Sequence, residues 1–272
     1  MDCLRMHECE LCEKSIVCDL DKHAHNSSVK KNRLGSIKHF LVVNSNKGGL
    51  GSTLFSIGLA SKLNDMGCKT ALMETSMSSS LPYYLNASET TPLELVPEGI
   101  TPPLSNGGFR YLSPLLFMNQ EPRVVSWDIE AVLKFIKKMI VNSNWGDIDL
   151  LIVDMPYEQS GLIRDLKVFT GDKFDRSIIL MDHKRYNNLQ AKFYVDYMKE
   201  LTTILAVLLS PSKKKGKDTK ITVPYIECPA YVLPYVDAVS SFDLDAGGVY
   251  GHLSVPYASI LEEVAKTCLS TL

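Results

Sequence analysis

The amino-acid sequence predicts an α/β fold, in which a mostly parallel β-sheet is flanked by helices and preceded by a short Cys-rich N-terminal extension. Short runs rich in Leu and β-branched residues alternate with segments of helical periodicity, which is typical of parallel sheets covered on both faces. At 272 residues, 45% of them hydrophobic, the chain is long enough to bury one such core. The predicted strands are HFLVVN (39–44), KTALM (69–73), LLIVD (150–154), SIILM (177–181) and ILAVLL (204–209). The predicted helices cover residues 53–66, 127–141, 187–201 and 259–269.

The Cys-rich extension is predicted as a flexible metal-binding tail and linker at residues 1–34, ahead of a domain at residues 35–272. Four of the seven cysteines lie in the first eighteen residues, and a polar stretch follows at 21–32. An odd number of cysteines without a recognisable secretory signal argues against a disulfide framework. Four thiolates suit an iron-sulfur cluster or zinc, three thiolates and an imidazole also suit zinc, and reduced, unliganded thiols are the remaining alternative. The candidate ligands are Cys3, Cys9, Cys12 and Cys18, with His7 as an alternative fourth ligand.

A glycine-rich turn joins the first predicted strand to the first predicted helix, in the string SNKGGLGST at 45–53. Glycines at positions 48, 49 and 51 let backbone N–H groups approach phosphate oxygens, and the helix N-terminus adds a favourable dipole. We interpret the turn as a phosphate-binding loop, with a purely structural tight connection as the alternative. Its candidate nucleotide-binding residues are Asn46, Lys47, Gly48, Gly49, Leu50, Gly51, Ser52 and Thr53.

Two later stretches interrupt the alternation of strands and helices. Residues 75–125 are rich in Pro, Ser, Gly and Asn and exceed an ordinary connection, which favours functional loops or a small excursion from the sheet. Residues 211–220, PSKKKGKDTK, are predicted as a basic surface loop, either a solvated insertion or a docking point for an acidic partner. Lys+Arg 29 nearly balances Asp+Glu 31, and every apolar run is shorter than the about 18 residues of a membrane span. We therefore expect a cytoplasmic protein with no nucleic-acid or membrane partner.

Four segments resemble one family of P-loop ATPases. The loop resembles the deviant phosphate loop of the MinD/Mrp class, G-K-G-G-V-G-K-[ST]-[ST], which places Lys47 on the signature lysine and Thr53 on the magnesium-binding hydroxyl. The strings SLP at 80–82 and NWGDIDLLIVDMP at 144–156 are similar to the Mrp/ApbC branch, and the second places Asp154 on the Walker B aspartate. The ending YGHLSVPYASILEEVAKTC at 250–268 also resembles that branch.

The cysteine spacing resembles one subgroup of this family. Cys9, Cys12 and Cys18 match the Cys-x-x-Cys-x5-Cys tail of the eukaryotic nucleotide-binding proteins, which are cytosolic iron-sulfur assembly scaffolds. In that subgroup the first tail cysteine lies further upstream than Cys3 does here. The resemblance implies a dimeric P-loop ATPase that uses ATP and Mg, builds [4Fe-4S] clusters and transfers them to apoprotein clients. It further implies a homodimer or a heterodimer with a related scaffold.

Several residues depart from the family pattern at positions that the resemblance marks as functional. The catalytic residues that the resemblance implies are Lys47 and Asp154. Ser52 replaces the lysine that contacts the β- and γ-phosphates in the family. The family's two aspartates after the second strand correspond to Met73 and Thr75, and strand alternation predicts that Glu74 between them points away from the site. We therefore expect Mg-nucleotide binding with slow or no hydrolysis.

The second, dimer-bridging cluster of the family uses a Cys-Pro-x-Cys pair from each subunit. Here the string ECPAY supplies Cys228 but places Tyr231 where the second thiolate belongs. Cys228 is therefore either a metal ligand or a buried residue, whereas Cys68 and Cys268 are predicted to be packing residues.

Two other functions stay open on the sequence alone. One is a non-enzymatic pseudo-ATPase interaction subunit with a structural zinc or cluster in its tail. The other is a MinD- or ParA-like positioning ATPase, which would need a basic amphipathic C-terminal helix or a basic face. The acidic pair at 262–263 in the last predicted helix argues against membrane anchoring.

Overall fold

The computed structural model confirms the predicted α/β fold, with a mostly parallel sheet flanked by helices. It describes residues 5–85, 95–117, 128–212, 220–234 and 255–272, together with Cys3 and Leu93. In chain order the strands are β1 (Ile37–Ser45), β2 (Thr70–Glu74), β3 (Leu95–Val96), β4 (Gly99–Ile100), β5 (Arg110–Leu112), β6 (Ile148–Asp154), β7 (Phe174–Met181), β8 (Thr203–Ser212), β9 (Lys220–Ile221) and β10 (Ala230–Pro234).

The described strands form an eight-stranded sheet in the order β5-β2-β6-β1-β7-β8-β10-β9. Its neighbouring strands pair in parallel except at β9, which is antiparallel to β10, and β3 and β4 form a separate antiparallel pair. The central strands β1, β6, β7 and β8 are the continuous apolar runs of the sequence, because helices cover them on both faces. The predicted strands are thus confirmed, and the carboxyl ends of β1, β2 and β6 meet at one edge.

The helices are α1 (Lys22–Ser36), α2 (Ser52–Asp65), α3 (Leu81–Tyr84), α4 (Ile129–Asn142), α5 (Ile163–Thr170), α6 (Leu189–Leu201) and α7 (Val255–Leu269). Side-chain caps determine where two of them begin. The side-chain oxygen of Asp128 accepts a hydrogen bond from the Ala131 backbone N–H at 2.7 Å, and that of Asn188 accepts one from Ala191 at 2.7 Å. Helices α4 and α6 therefore begin after these residues, slightly later than the hydrophobic pattern predicts. None of the described helices is both long and apolar enough to cross a bilayer.

The polar stretch at 21–32, predicted as a linker, forms most of helix α1. Asp21 caps the helix by accepting hydrogen bonds from the backbone N–H groups of His23 and Ala24 at 2.9 and 3.1 Å. The helix packs against α4 and buries Val29 and Arg33. Few apolar side chains mark that buried face, which explains why the hydrophobic pattern of the sequence does not indicate a helix.

Residues 75–125 form a small excursion from the sheet where the structure describes them. The excursion contains α3, the β3–β4 pair and the short edge strand β5, which pairs with β2 from Ala71↔Arg110 to Met73↔Leu112. Most of the predicted basic loop, residues 213–219, lies outside the described residues, as does the start of the family-like ending at 250–254.

Candidate functional site

The glycine-rich turn lies between β1 and α2, at the carboxyl edge of the sheet. Gly49 and Gly51 have φ angles of +75° and +90°, a left-handed backbone that residues with a Cβ rarely adopt. Gly51 is the N-cap residue of α2, so the first backbone N–H groups of that helix lack intrahelical acceptors. The turn therefore needs glycine at two positions and presents backbone donors to an anion, as the phosphate-loop interpretation requires.

A cavity of about 330 Å³ opens between this turn and the ends of β2 and β6, and we call it the loop cavity. Its volume lies within the range of about 300 to 1,000 Å³ of small-molecule sites. Five of the predicted nucleotide-binding residues line it, namely Gly48, Gly49, Gly51, Ser52 and Thr53. The other lining residues are Ser45, Leu54, Glu74, Ser76, Ser80, Tyr84, Asp154, Pro156 and Tyr157.

The remaining three predicted loop residues point elsewhere. Leu50 is buried in the hydrophobic core. The side-chain oxygen of Asn46 accepts a hydrogen bond from the backbone N–H of Asp182 at 3.3 Å. The side chain of Lys47 is 56% exposed, and its Nζ lies 3.5 Å from an Asp182 carboxylate oxygen. Within its own chain, Lys47 is thus directed at Asp182, outside the loop cavity.

Glu74 faces the loop cavity, and the prediction that it points away is wrong. Strands β2 and β6 pair in parallel with Met73 opposite Val153 and Glu74 opposite Asp154. Directly paired residues of neighbouring strands project on the same face of a sheet, so Glu74 shares its face with Asp154. The Glu74 carboxylate accepts hydrogen bonds from the Ser79 hydroxyl and from the backbone N–H groups of two following residues, at 3.1 Å each.

The two positions that correspond to the family's aspartates are buried structural residues. Met73 is fully buried in the core. The Thr75 hydroxyl donates to Gln159 Oε1 at 2.7 Å, and the Gln159 amide donates to the Thr75 carbonyl oxygen at 2.9 Å. These two bonds hold the end of β2 against the turn that follows β6, and Glu74 is the carboxylate that β2 contributes to the site.

Asp154 and Glu74 form a buried acidic pair, at 3% and 2% exposure respectively. Burial, followed by the charge of the nearby Glu74, raises the pKa of Asp154 to about 7, although hydrogen bonds from Thr53 and Ser52 oppose the shift. Burial also raises the pKa of Glu74, against the lowering effect of its hydrogen-bond donors. Asp154 Oδ1 has no hydrogen-bond partner among the described residues. The hydrogen bonds of the two carboxyl groups therefore offset only part of the free-energy cost of burying their charges.

The donor set of the loop cavity suits a divalent cation with an anionic ligand. Magnesium prefers carboxylate and hydroxyl oxygens, and the unpaired oxygen of Asp154 lies in the same cavity as the Thr53 hydroxyl. Among the described residues that line the cavity, none is a lysine or arginine. The arrangement can bind phosphate through backbone N–H groups and a metal ion, but it lacks a side-chain cation for charge that develops during phosphoryl transfer.

The four N-terminal cysteines surround one small cavity of about 20 Å³, which we call the cysteine cavity. The residues that line it are Cys3, Arg5, His7, Cys9, Cys12, Ser15, Cys18, Leu20 and His25. Burial raises the pKa of Cys9, and the charges of Cys18, Cys3 and Cys12 raise it further, as expected for thiols that face one another. Across the described residues, no group of three or more His, Cys, Asp or Glu side chains is placed so that it could hold a metal ion.

Residues 5–20 together with Cys3, here called the cysteine segment, are docked on the sheet domain. The Met6 backbone N–H donates to the Pro97 carbonyl oxygen at 2.7 Å, beside the β3–β4 pair. The buried Arg33 of α1 donates to the Met6 carbonyl oxygen at 2.9 Å and to that of Glu98. The Glu8 backbone N–H donates to Asn142 Oδ1 at 2.7 Å, at the end of α4. Three separate elements of the domain therefore contact this segment, which the sequence predicts to be a flexible tail.

Cys228 lies just before β10. Burial raises its pKa to about 11, which favours the neutral thiol over the metal-binding thiolate. Tyr231, which occupies the position of the family's second thiolate, donates its hydroxyl to Glu263 of α7 at 2.9 Å. Cys68 and Cys268 are buried in the core, as predicted.

Asn44, at the end of β1, is a site residue that sequence reasoning missed. It is fully buried, and its side-chain amide donates to the Met155 carbonyl oxygen at 2.7 Å. Its side-chain oxygen accepts from the Ser160 hydroxyl at 2.9 Å and from the Tyr194 hydroxyl. Asn44 thus ties the strand before the phosphate loop to the turn after β6 and to α6. In the sequence, only its position as a single amide at the end of the apolar run HFLVVN could have indicated this role.

Comparison with known proteins supports the family that the sequence resembles. Residues 36–161 match a family model described as ParA, NUBPL iron-transfer P-loop NTPase. An iron-sulfur cluster carrier protein of Methanocaldococcus jannaschii is 27% identical over 152 residues, which are 55% of this chain and 52% of that protein. The iron-sulfur cluster transfer protein NUBPL of Mus musculus is 30% identical over 130 residues, 47% of this chain and 40% of that protein. This chain therefore spans about half, or less, of the curated relatives that it matches.

A solved structure shows the same fold. The MinC:MinD cell division protein complex of Aquifex aeolicus superposes with a TM-score of 0.54 at 14% identity, over 85% of this chain and 96% of that chain. The family match begins at residue 36, so the four cysteines of the cysteine segment lie outside it.

Proposed function

Because its residues 36–161 match a family model of NUBPL iron-transfer P-loop NTPases, we propose that this protein is a cytosolic iron-sulfur cluster assembly factor. In this proposal it holds a [4Fe-4S] cluster at the cysteine segment, binds Mg-nucleotide in the loop cavity and transfers clusters to apoprotein clients. The observation that carries the proposal is the convergence of four cysteine thiols on one cavity beside a P-loop domain.

The chemistry of the cysteine cavity fits an iron-sulfur cluster. Thiolates are the usual protein ligands of such clusters, and four thiols line this cavity. The cavity is smaller than a cluster, but the two short turns of the segment, Cys9–Leu11 and Ser15–Val17, bury no side chain. The segment can therefore rearrange around a cluster without loss of core packing, while its docking to α1 and α4 keeps it in place.

The loop cavity supports Mg-nucleotide binding more strongly than hydrolysis. Backbone N–H groups of the turn bind phosphate oxygens, the Thr53 hydroxyl and the Asp154 carboxylate bind magnesium, and Glu74 adds a second carboxylate beside them. Ser52 replaces the family's cationic side chain, so charge that develops on the transferred phosphoryl group lacks a partner within the chain. We propose slow or no hydrolysis by a single chain.

Lys47 supports a nucleotide-dependent dimer in this proposal. Its ammonium lies outside its own cavity and is more than half exposed. The exposed ion pair with Asp182 is weak, because surface ion pairs contribute only about 0 to 1 kcal/mol. Lys47 is thus available to the phosphates of a partner subunit, either a second copy of this chain or a related scaffold.

A second candidate function is a non-enzymatic interaction subunit with a structural zinc site in the cysteine segment. The absence of lysine and arginine from the described lining of the loop cavity favours it. Zinc accepts the same thiols and binds without sulfide. The two functions differ in cluster transfer, because a subunit that binds zinc has no iron-sulfur cluster to transfer.

Cluster transfer tests the proposed function. The full chain is loaded anaerobically with ferrous iron and sulfide, freed of unbound iron and mixed with the apo form of a [4Fe-4S] enzyme whose activity returns on cluster uptake. We expect transfer from the wild type and from Cys228→Ser, and loss of transfer from the double variant Cys9→Ser with Cys12→Ser. A loaded protein that never activates the acceptor, or a double variant that transfers as well as wild type, would contradict the proposal.

A further inference from the structure

His7 is a buried histidine in a segment that is otherwise only partly covered. Its side chain is 1% exposed and lines the cysteine cavity. Its Nε2 atom has no hydrogen-bond partner among the described residues. Buried nitrogen atoms without a partner are unfavourable and uncommon in folded proteins, so this atom needs an explanation.

The other ring nitrogen gives the imidazole a defined orientation. His7 Nδ1 lies 3.3 Å from the carbonyl oxygen of Glu8. A carbonyl oxygen can only accept, so Nδ1 carries the proton of the neutral ring and Nε2 carries a lone pair. Metal-binding histidines typically donate one ring N–H to a backbone carbonyl while the other nitrogen binds the metal. His7 has this arrangement, and it lines the cysteine cavity.

The backbone around His7 is fixed by the domain. The ring Nε2 of His25 lies 3.1 Å from the His7 carbonyl oxygen. The Glu8 backbone N–H donates to Asn142 Oδ1 at 2.7 Å, and the Asn142 amide donates to the Glu8 carboxylate at 3.0 Å. The backbone that carries the imidazole is thus held by α1 and α4.

We propose that His7 Nε2 is the fourth ligand of the metal centre in the cysteine segment, completing the thiolates of Cys9, Cys12 and Cys18. This inference rests on the proposed function for the identity of the centre, a [4Fe-4S] cluster. Cys3 lines the same cavity, but His7 is the candidate whose donor atom is buried, oriented and unpaired. A neutral imidazole in place of a thiolate removes one negative charge from the cluster, which raises its reduction potential.

Pulsed EPR detects nitrogen coordination directly in a cluster bound to the 272-residue chain. Protein labelled with 15N-histidine is reconstituted anaerobically with ferrous iron and sulfide, reduced, and examined by pulsed EPR. We expect a strong nitrogen hyperfine coupling in the wild type, loss of that coupling with retention of iron in His7→Cys, and a lower reduction potential in that variant. The coupling should persist in His23→Ala, a control because His23 is exposed on α1. The coupling should also persist in His25→Ala, which would exclude His25, the other histidine that lines the cavity, as the nitrogen ligand.

Three results with a loaded cluster would each overturn the assignment. The first is a wild-type cluster without nitrogen coupling, and the second is a coupling that survives in His7→Cys. The third is loss of the cluster in Cys3→Ala while His7→Ala keeps a full iron and sulfide content and an unchanged potential.

Binding of Co²⁺ distinguishes an error in the assignment of His7 from an error in the proposed function. Co²⁺ binds thiolate and imidazole sites without sulfide, and its sulfur-to-cobalt charge-transfer absorption grows with the number of thiolate ligands. We expect His7→Cys to raise this absorption by about one third, as three thiolates become four. If the protein rejects iron and sulfide but gives this cobalt result, His7 is a ligand and the proposed function is wrong. If wild-type cobalt protein already has four thiolates, or binds no cobalt and no iron, the assignment of His7 is wrong.

Discussion

Replacement of Asp154 by Asn should stabilise the nucleotide-free protein, and the gain should grow with pH. Asp154 is almost fully buried beside Glu74, and one of its oxygens has no partner among the described residues. Burial, followed by the charge of Glu74, raises the pKa of Asp154 from 3.8 to about 7. Asn fills a similar volume but cannot ionise, so the variant escapes the unfavourable buried charge.

The direction of the pH effect on the free energy of unfolding follows from the number of protons that the folded and unfolded states bind. The carboxyl of the unfolded chain ionises near pH 3.8, whereas the folded protein retains that proton until about pH 7, so the folded state binds more protons between these values. The free energy of unfolding of the wild type therefore falls by roughly 1.4 kcal/mol per pH unit across this window, up to roughly 4 kcal/mol. Asp154→Asn should recover most of this difference at pH 8 and less at pH 5.

Urea unfolding in magnesium-free buffer at pH 5 and pH 8 measures the effect. Asp149→Asn is a matched control on the same strand, where the hydrogen bond from the Lys38 side chain at 2.7 Å and the Lys69 backbone N–H lower the pKa of Asp149. That carboxylate stabilises the folded state above its unfolded pKa, so its loss should destabilise the protein slightly at pH 8. If Asp154→Asn is neutral or destabilising at pH 8, the buried charge of Asp154 does not destabilise the folded protein, and the reasoning is refuted.

Four further outcomes are expected from single variants. Thr53→Ala should weaken Mg-nucleotide binding by about tenfold in calorimetry, because it removes one magnesium-facing hydroxyl; an unchanged affinity would place the metal elsewhere. Ser52→Lys should tighten nucleotide binding by about tenfold through one charge-assisted contact, and no gain would show that position 52 does not face phosphate. Lys47→Ala should abolish a dimer that light scattering detects with ATP and Mg, and a wild type that stays monomeric with or without a related scaffold would refute the trans role. Arg33→Met should lower the free energy of unfolding by about 2 to 4 kcal/mol and expose the cysteine segment to protease, since three part-buried hydrogen bonds lose their donor, whereas Arg164→Met on the surface should do neither.

The strands and the phosphate loop could be predicted from the sequence because their signals are local. β1, β6, β7 and β8 are continuous apolar runs, and the loop glycines follow directly from a strand end. The orientation of Glu74 could not be predicted in the same way, because it depends on the register between β2 and β6. The paired residues Glu74 and Asp154 are 80 residues apart along the chain.

The docking of the cysteine segment depends on partners that are even more distant in sequence. Met6 meets Pro97, and Glu8 meets Asn142, which is 134 residues away. Helix α1 has a largely polar sequence, so only its packing against α4 reveals a buried face. The composition of the metal site could therefore be predicted, but not its attachment to the domain or the burial of His7.

The central claim is that the cysteine segment holds an iron-sulfur cluster, and metal analysis of the full chain tests it most directly. The protein is purified anaerobically, and iron, acid-labile sulfide and zinc are quantified together with the visible spectrum. We predict about four iron and four sulfide per chain with broad thiolate-to-iron absorption, and their loss in Cys9→Ser with Cys12→Ser. Stoichiometric zinc with iron and sulfide excluded, even after reconstitution, would contradict the claim.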